Sequence, residues 1–324
     1  MLVTGAAGYV GARVCALLLA NGRSVRAFDS FLFGDGALTA LRGRPDFEFL
    51  TGDVRDADAV RRAAEGCDGV IHLARLVGDP ACALDPALTR AVNVGGTRHV
   101  VEAASAAGLR RIVFASTCSV YGAAGDAWLD EHSPTAPVSL YAETHLESEA
   151  LLIAHPSSAE APCVLRFATV FGVAPRMRFD LVVNLLTARA LREGVVEVHG
   201  GEQWRPQVHV DDVARAVVLA LDHPAAAGET FNVGSDALNL RIADLAERIA
   251  ARFPGARLTV QETRDPRSYR VSFARIEREL GFRATRTIES GVDEIAAWLT
   301  ARPDEDFRAA RYSNVLTLTE KLRA

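Results

Sequence analysis

Through the first half of the chain, short apolar runs rich in β-branched residues alternate with stretches whose apolar positions recur every three to four residues. The first pattern is that of a buried strand, the second that of a helix with one apolar face. It predicts strands at Leu2–Thr4, Ser24–Phe28, Phe47–Thr51, Gly69–Leu73, Arg111–Ala115 and Cys163–Phe167. Between them it predicts helices over Gly8–Ala20, where Val10, Val14, Leu17 and Leu18 repeat, and over Ala57–Ala64, Leu88–Ala107 and Ser139–Ala154. Strand–helix alternation with right-handed crossovers builds an α/β, doubly wound parallel sheet. Such a sheet leaves a ligand crevice outside the carboxyl ends of its strands.

The rhythm changes after about Gly172. A Pro/Arg/Met stretch, Ala174–Arg178, leads into a helix over Asp180–Arg192 and a strand at Val195–His199. Further strands are expected at Gln207–Val210 and Thr230–Val233, with a helix over Asp211–Leu221 between them. Helices at Ile242–Phe253, near Ala274–Leu280 and near Ile288–Leu299 follow. This smaller, mixed α/β region is expected to cap the crevice. Its boundary is not clean, because Trp204–Leu221 can return to the first core.

At 324 residues the chain can bury a sizeable core, and an apolar fraction of 49% is ordinary for a globular protein. A net charge of -5 offers no basic field for nucleic acid or an acidic membrane. No run approaches the ~20 apolar residues that span a bilayer. The first strand opens at Met1 and leads straight into a glycine-rich turn, so no signal peptide is expected and the reading is cytoplasmic. The five cysteines (Cys15, Cys67, Cys82, Cys118 and Cys163) lack any zinc spacing and read as reduced thiols, with no metal site. Lys321 is the only lysine, so nearly all positive charge is arginine.

The strongest local signal is Thr4-Gly5-Ala6-Ala7-Gly8-Tyr9-Val10-Gly11, directly after a strand and opening a helix. Gly5 permits the tight turn, Gly8 lets backbone approach a pyrophosphate, and Gly11 allows close helix–sheet packing. The helix N-terminus presents free N–H groups to the phosphates. Asp29 ends the second strand, where a carboxylate binds the adenosine ribose and repels a 2′-phosphate. Ser30 and Phe31 supply no cation beside it, which favours NAD over NADP.

Asp53-Val54 after the third strand and His72-Leu73-Ala74 after the fourth complete a recognisable set. With them the chain resembles, over essentially its whole length, an extended short-chain dehydrogenase/reductase of the NAD-dependent epimerase/dehydratase family. The resemblance implies a Rossmann-type NAD-binding domain over residues 1–172, with about 204–222 returning to it, and a mainly substrate-binding region over 173–324. It also implies that Asp53 and Val54 contact adenine, that Leu73 and Ala74 lie along the cofactor together with Tyr9 and Val10, and that Asn93 belongs to the cofactor site. Thr117, in Ser116-Thr117-Cys118-Ser119, falls at the catalytic Ser/Thr that bonds the reacting sugar oxygen. Sugar dehydratases of the family carry an Asp-Glu pair immediately afterwards. Here those positions are Cys118 and Ser119, which disfavours dehydration.

Tyr141, in Tyr141-Ala142-Glu143-Thr144-His145, stands at the tyrosine of the family's YxxxK motif. The lysine is absent. A phenol of pKa ~10 is a poor base at neutral pH unless a cation lowers it. His145 shares the helix face of Tyr141 and is expected to take part of the lysine's role, so that activity follows its titration near pH ~6.5. In the second half the resemblance implies substrate contacts from Thr169 and Asn184 and a diphosphate clamp from Arg205 and Arg267, with Arg264 an alternative. Forked guanidinium groups suit two phosphates.

The expected function is that of an NAD-dependent epimerase acting on a nucleoside-diphosphate sugar through a transient keto-sugar, with a homodimer as the expected assembly. Two alternatives stay open: a net NAD(H)-dependent dehydrogenase or keto-sugar reductase, and a non-catalytic NAD-binding sensor.

Overall fold

The computed structural model describes residues 1–155, 161–261 and 267–323. In chain order its first half runs β1 (Leu2–Thr4), α1 (Tyr9–Ala20), β2 (Val25–Asp29), β3 (Phe47–Thr51), α2 (Ala57–Ala64) and β4 (Gly69–His72). There follow α3 (Asp79–Leu84), α4 (Pro86–Arg90), α5 (Gly96–Ala106), β5 (Arg111–Thr117), β6 (Ala123–Leu129), α6 (Leu140–Ala154) and β7 (Cys163–Phe167). The second half carries β8 (Thr169–Phe171), α7 (Val182–Glu193), β9 (Val195–His199), β10 (Trp204–His209), α8 (Val210–Asp222), β11 (Thr230–Val233) and β12 (Asn239–Arg241). It ends with α9 (Ile242–Ala250), β13 (Arg257–Gln261), β14 (Ser268–Val271), α10 (Ala274–Leu280), α11 (Ile288–Thr300) and α12 (Asn314–Arg323).

Seven strands form one sheet in the order β11-β7-β5-β4-β1-β2-β3, and each pairing is parallel. The chain moves from β1 outward through β2 and β3, then crosses back to β4 on the other side of β1. That reversal opens a crevice at the carboxyl ends of β1 and β4. Such strands are buried on both faces and need continuous apolar sequence, and Val3, Val70, Ile71, Val113, Phe114 and Leu165 are accordingly buried. Helix α8 packs on α1: Val213, Ala214 and Val217 share a core with Val14, Cys15 and Leu18.

A second apolar core lies in the later half. It is built by Phe171, Met177 and Phe179, by Val183 and Leu186 of α7, by Leu245 and Ile249 of α9, and by Ile288, Val292, Ile295 and Leu299 of α11. Three small sheets accompany it: β12-β10-β8, β13-β9 and β14-β6.

The predicted helix over Leu88–Ala107 is interrupted. A π-helical turn at Ala91–Gly95 separates α4 from α5. The widened turn lets the Asn93 amide meet the backbone of Leu76, and the glycines at 95 and 96 resist it little. Strand β6 had no sequence signal, because AAGDAWL lacks alternation; its order comes from pairing with β14. Helices α3 and α12 and strands β8, β12, β13 and β14 were likewise not anticipated.

Candidate active site

The crevice is a cavity of about 550 Å³, lined by the glycine-rich turn, the ends of β2 to β5, the start of α6 and the loop after β8. Gly5 holds φ at 71°, and a Cβ there would meet the Ala74 backbone nitrogen at 2.6 Å. At Gly11 a Cβ would meet the Gly5 carbonyl oxygen at 2.1 Å. The turn is therefore shaped for glycine at both places. Helix α1 starts at Gly8 without a side-chain cap, which leaves first-turn N–H groups available to an anion in the cavity.

Asp29 lies at the mouth of β2. Its carboxylate accepts hydrogen bonds from the Ala7 and Phe31 backbone N–H groups at 2.9 and 2.8 Å. Burial raises its pKa, and those two N–H groups and the charge of Arg176 oppose the rise. Each carboxylate oxygen keeps lone-pair capacity for a ribose hydroxyl. Although its sequence neighbours carry no cation, one comes close from far along the chain. Arg176 lies 4.1 Å over the Phe33 ring and bonds Asn314 of α12 at 2.7 Å, with its Nε buried and unpartnered in the protein.

The turn, the capless helix and the ribose-side carboxylate together fit a dinucleotide. Tyr9, Val10, Asp53, Val54, Leu73 and Ala74 line the same cavity, as do Thr117, Tyr141, His145 and Thr169.

Tyr141 opens α6, one turn before His145, and their rings meet edge-on with centroids 4.4 Å apart. Burial pushes the Tyr141 phenol well above its usual range, and a hydrogen bond with the Thr117 hydroxyl works against that rise. Thr117 also accepts from the Ser119 N–H at 3.1 Å. His145 corrects the sequence expectation. It is 2% exposed, and its Nδ1–H donates to the Tyr141 carbonyl at 2.7 Å. Burial, reinforced by the nearby guanidinium of Arg75, lowers its pKa well below the ordinary value, so the ring stays neutral at physiological pH. A neutral imidazole bonded this way presents Nε2 as an acceptor, where a lysine would donate.

Four expected site residues stand behind the lining. Asn93 is fully buried; its amide bonds both backbone groups of Leu76 and the Thr144 hydroxyl, fixing the loop after β4 to α6. Asn184 accepts from the Gly172 N–H and donates to the Arg178 carbonyl and the Tyr9 hydroxyl, and so holds the loop that carries Arg176 and Arg178. Arg205 and Arg267 come together: Arg205 donates to the Arg267 carbonyl and lies 5.4 Å over the Tyr269 ring, while Arg267 pairs with Asp79. Asp79 and Tyr269 line the cavity. Arg264 lies outside the described residues.

Sequence reasoning passed over Arg75, Arg176, Arg178, Asp79 and Tyr269. Only Arg75 left a signal, a lone charge inside the apolar run His72-Leu73-Ala74-Arg75-Leu76-Val77.

Comparison with known proteins settles the family. The sequence profile described as the NAD dependent epimerase/dehydratase family matches residues 1–234. The chain belongs to this family. A dTDP-glucose 4,6-dehydratase of Streptomyces griseus is 30% identical over 92% of the chain and 93% of its own length. A UDP-glucose 4-epimerase of Mycolicibacterium smegmatis is 35% identical over 72% of the chain and 76% of its own length. The solved dTDP-glucose 4,6-dehydratase DesIV of Streptomyces venezuelae, with NAD bound, superposes with a TM-score of 0.84 at 27% identity, covering 93% of this chain and 97% of its own. This family member is thus an NAD-dependent enzyme of the short-chain dehydrogenase/reductase type, with homologues among nucleotide-sugar epimerases and dehydratases. Among the described residues no helix is long and apolar enough to cross a membrane.

Proposed function

We propose that the enzyme epimerises a nucleoside-diphosphate sugar through a transient keto-sugar. One observation carries the choice over dehydration: the two residues after Thr117 cannot act as an acid/base pair. The Cys118 thiol is buried, donates to the Arg166 carbonyl at 3.2 Å and is pushed far above its usual range by burial. The Ser119 hydroxyl is taken by the Tyr269 phenol at 3.1 Å. Asp79, the carboxylate that lines that side of the cavity among the described residues, is held by Ser139 and Arg267.

When bound, NAD supplies a reversible hydride acceptor. Asp29 would hold the adenosine ribose and select NAD, the turn Gly5–Gly11 would receive the pyrophosphate, and Asp53 and Val54 would hold the adenine. Leu73 and Ala74 would lie along the cofactor, and Nε2 of His145 would be free to accept from its nicotinamide ribose. Tyr141 would take the proton of the sugar hydroxyl while Thr117 holds the same oxygen, so that the carbon can give its hydride to a bound acceptor and become a C=O. With the sugar turned over, Tyr141 would return the proton to that oxygen on reduction from the opposite face, which gives the epimer. Thr169 and the region over 173–324 bind substrate, with Thr169 at the sugar and, from behind Asp79 and Tyr269, Arg205 and Arg267 toward the diphosphate.

The test is incubation with UDP-glucose and dTDP-glucose, with products followed by NMR. An epimer formed without net change in cofactor oxidation state is expected. A stable 4-keto-6-deoxy sugar would overturn the proposal, and stoichiometric cofactor reduction would replace it with net dehydrogenation.

A further inference from the structure

A base of Tyr141's kind needs a fixed positive charge near it, since burial disfavours the phenolate. The neutral His145 does not supply one. Among the described residues four other cationic side chains line the cavity: Arg55, Arg75, Arg176 and Arg178. Arg55 is paired with Asp53 at 2.6 Å and Arg178 with Asp180 at 2.9 Å. Arg176 stands over Phe33, at the Asp29 end. Arg75 remains.

Arg75 leaves the carboxyl end of β4 and is 9% exposed. Its Nη2 donates to the Thr144 carbonyl and the Ser148 hydroxyl of α6, both at 3.0 Å, so it grips the helix that carries Tyr141. Its Nη1 donates to the Thr97 hydroxyl at 3.1 Å, its Cζ lies 4.9 Å over the Phe114 ring, and its Nε is buried without a partner. All three hydrogen-bond partners are neutral. Of the acidic residues on the same helix, Glu143 and Glu147 pair with Arg90, and the buried Glu149 is committed to Arg166 through both oxygens and to Ser116. A buried guanidinium without a contact counter-ion is expensive to keep.

We infer that Arg75 is the positioning residue whose fixed charge, delivered from β4, serves the phenolate of Tyr141 in place of a cation on α6. Burial pushes the Arg75 pKa down to about 10, with an ionised Tyr141 acting the other way, so the group stays charged at neutral pH. The same charge helps keep His145 neutral. Around these groups stand Cys82 and Asp79 of α3, Tyr269 of β14, Thr117 of β5, His72 of β4 and Glu149 of α6. The acids among them oppose phenolate formation and the Thr117 hydroxyl bond favours it, while Arg75 is the fixed positive charge of this group, coupled to an ionised Tyr141.

The inference rests on Tyr141 as the acid/base, so its test has an arm free of turnover. The variants are Arg75→Met, Arg75→Lys and Arg75→Met with His145→Lys, read by kcat against pH and by NMR titration of the His145 imidazole in the cofactor-free protein. Arg75→Met is expected to move the phenol limb of the rate profile upward by about one pH unit, about tenfold in rate near neutrality, and to raise the His145 midpoint. Arg75→Lys, which loses the fork and keeps the charge, is expected to retain the parental profile, and His145→Lys to restore rate to Arg75→Met. A folded Arg75→Met with the parental profile overturns the inference, whatever His145 does. So does a shifted profile in Arg75→Lys, because Arg75 would then be only a staple; this arm stands even if Arg75→Met does not fold. Activity surviving Tyr141→Phe would instead remove the reading of Tyr141, with the NMR arm unaffected.

Discussion

At the glycine-rich end of the cavity, the turn, the helix start and the carboxylate all come from residues 4–31, and they touch one another: Asp29 accepts from Ala7, and Gly5 N–H donates to the Phe28 carbonyl at 2.9 Å. At the tyrosine end the groups come from β4, β5, α6 and β14, and the charge sits on a different element from the base. The first end binds an anion with local backbone, so its rules are those of a turn. The second builds a reactive phenol by long-range packing, so a substitution in one motif can be answered elsewhere. On the role proposed for Arg75, Tyr141 is served by a charge from β4 although α6 carries no lysine.

The sharpest way to break this comparison is Tyr141→Phe. It is expected to lower kcat by about 10²–10⁴-fold, the usual worth of a general acid/base, while NAD retention measured after gel filtration stays near parental. Equal loss of both would mean that the two ends are not separable. Arg205→Ala is expected to raise KM rather than lower kcat, by about 2–5 kcal/mol if it clamps a buried phosphate. Steady-state kinetics with unchanged KM would make Arg205 a support for Arg267 and Tyr269 alone.

Asp29→Ala addresses the local end. Loss of a charge-assisted hydrogen bond is worth about 1.5–3 kcal/mol, so calorimetry should find weaker NAD and a smaller gap to NADP, with kcat at saturating cofactor little changed. Parental NADP binding tighter than NAD would reverse the assignment.

Acid should reveal the buried histidines. His145 and His72 have lowered pKa values, that of His72 down to about 3, and for both the main cause is burial. Unfolded histidine binds a proton near pH ~6.5 and these folded rings do not, so their stabilising contribution is present above that pH. It is lost as pH falls, at about 1.4 kcal/mol per pH unit for each ring. Tm measured from pH 7 to 5 should fall, and His145→Gln should make the decline shallower. The smallest effect is expected from His145→Lys alone, about twofold or less in kcat, because Arg75 already supplies the charge. A large gain would return position 145 to the centre of the mechanism.

The parallel strands of the central sheet, the helices that open and close the first half and the glycine-rich turn were legible in the chain itself, while the roles proposed for Thr117 and Tyr141 rest on the family resemblance. The elements and the turn depend on neighbours within a few residues: β-branched runs make strands, and Gly5 and Gly11 make the turn. Tertiary structure alone decided the rest. It turned Asn93 and Asn184 into supports, broke one helix with a π turn, brought Arg205 to Arg267 and Arg176 toward Asp29, and gave β6 a partner in β14. It also made His145 neutral and Arg75 the charge beside it. The reason is physical: a pKa and a hydrogen-bond partner are set by what surrounds a group in space, and burial in a cavity wall gathers those surroundings from segments far apart in the chain.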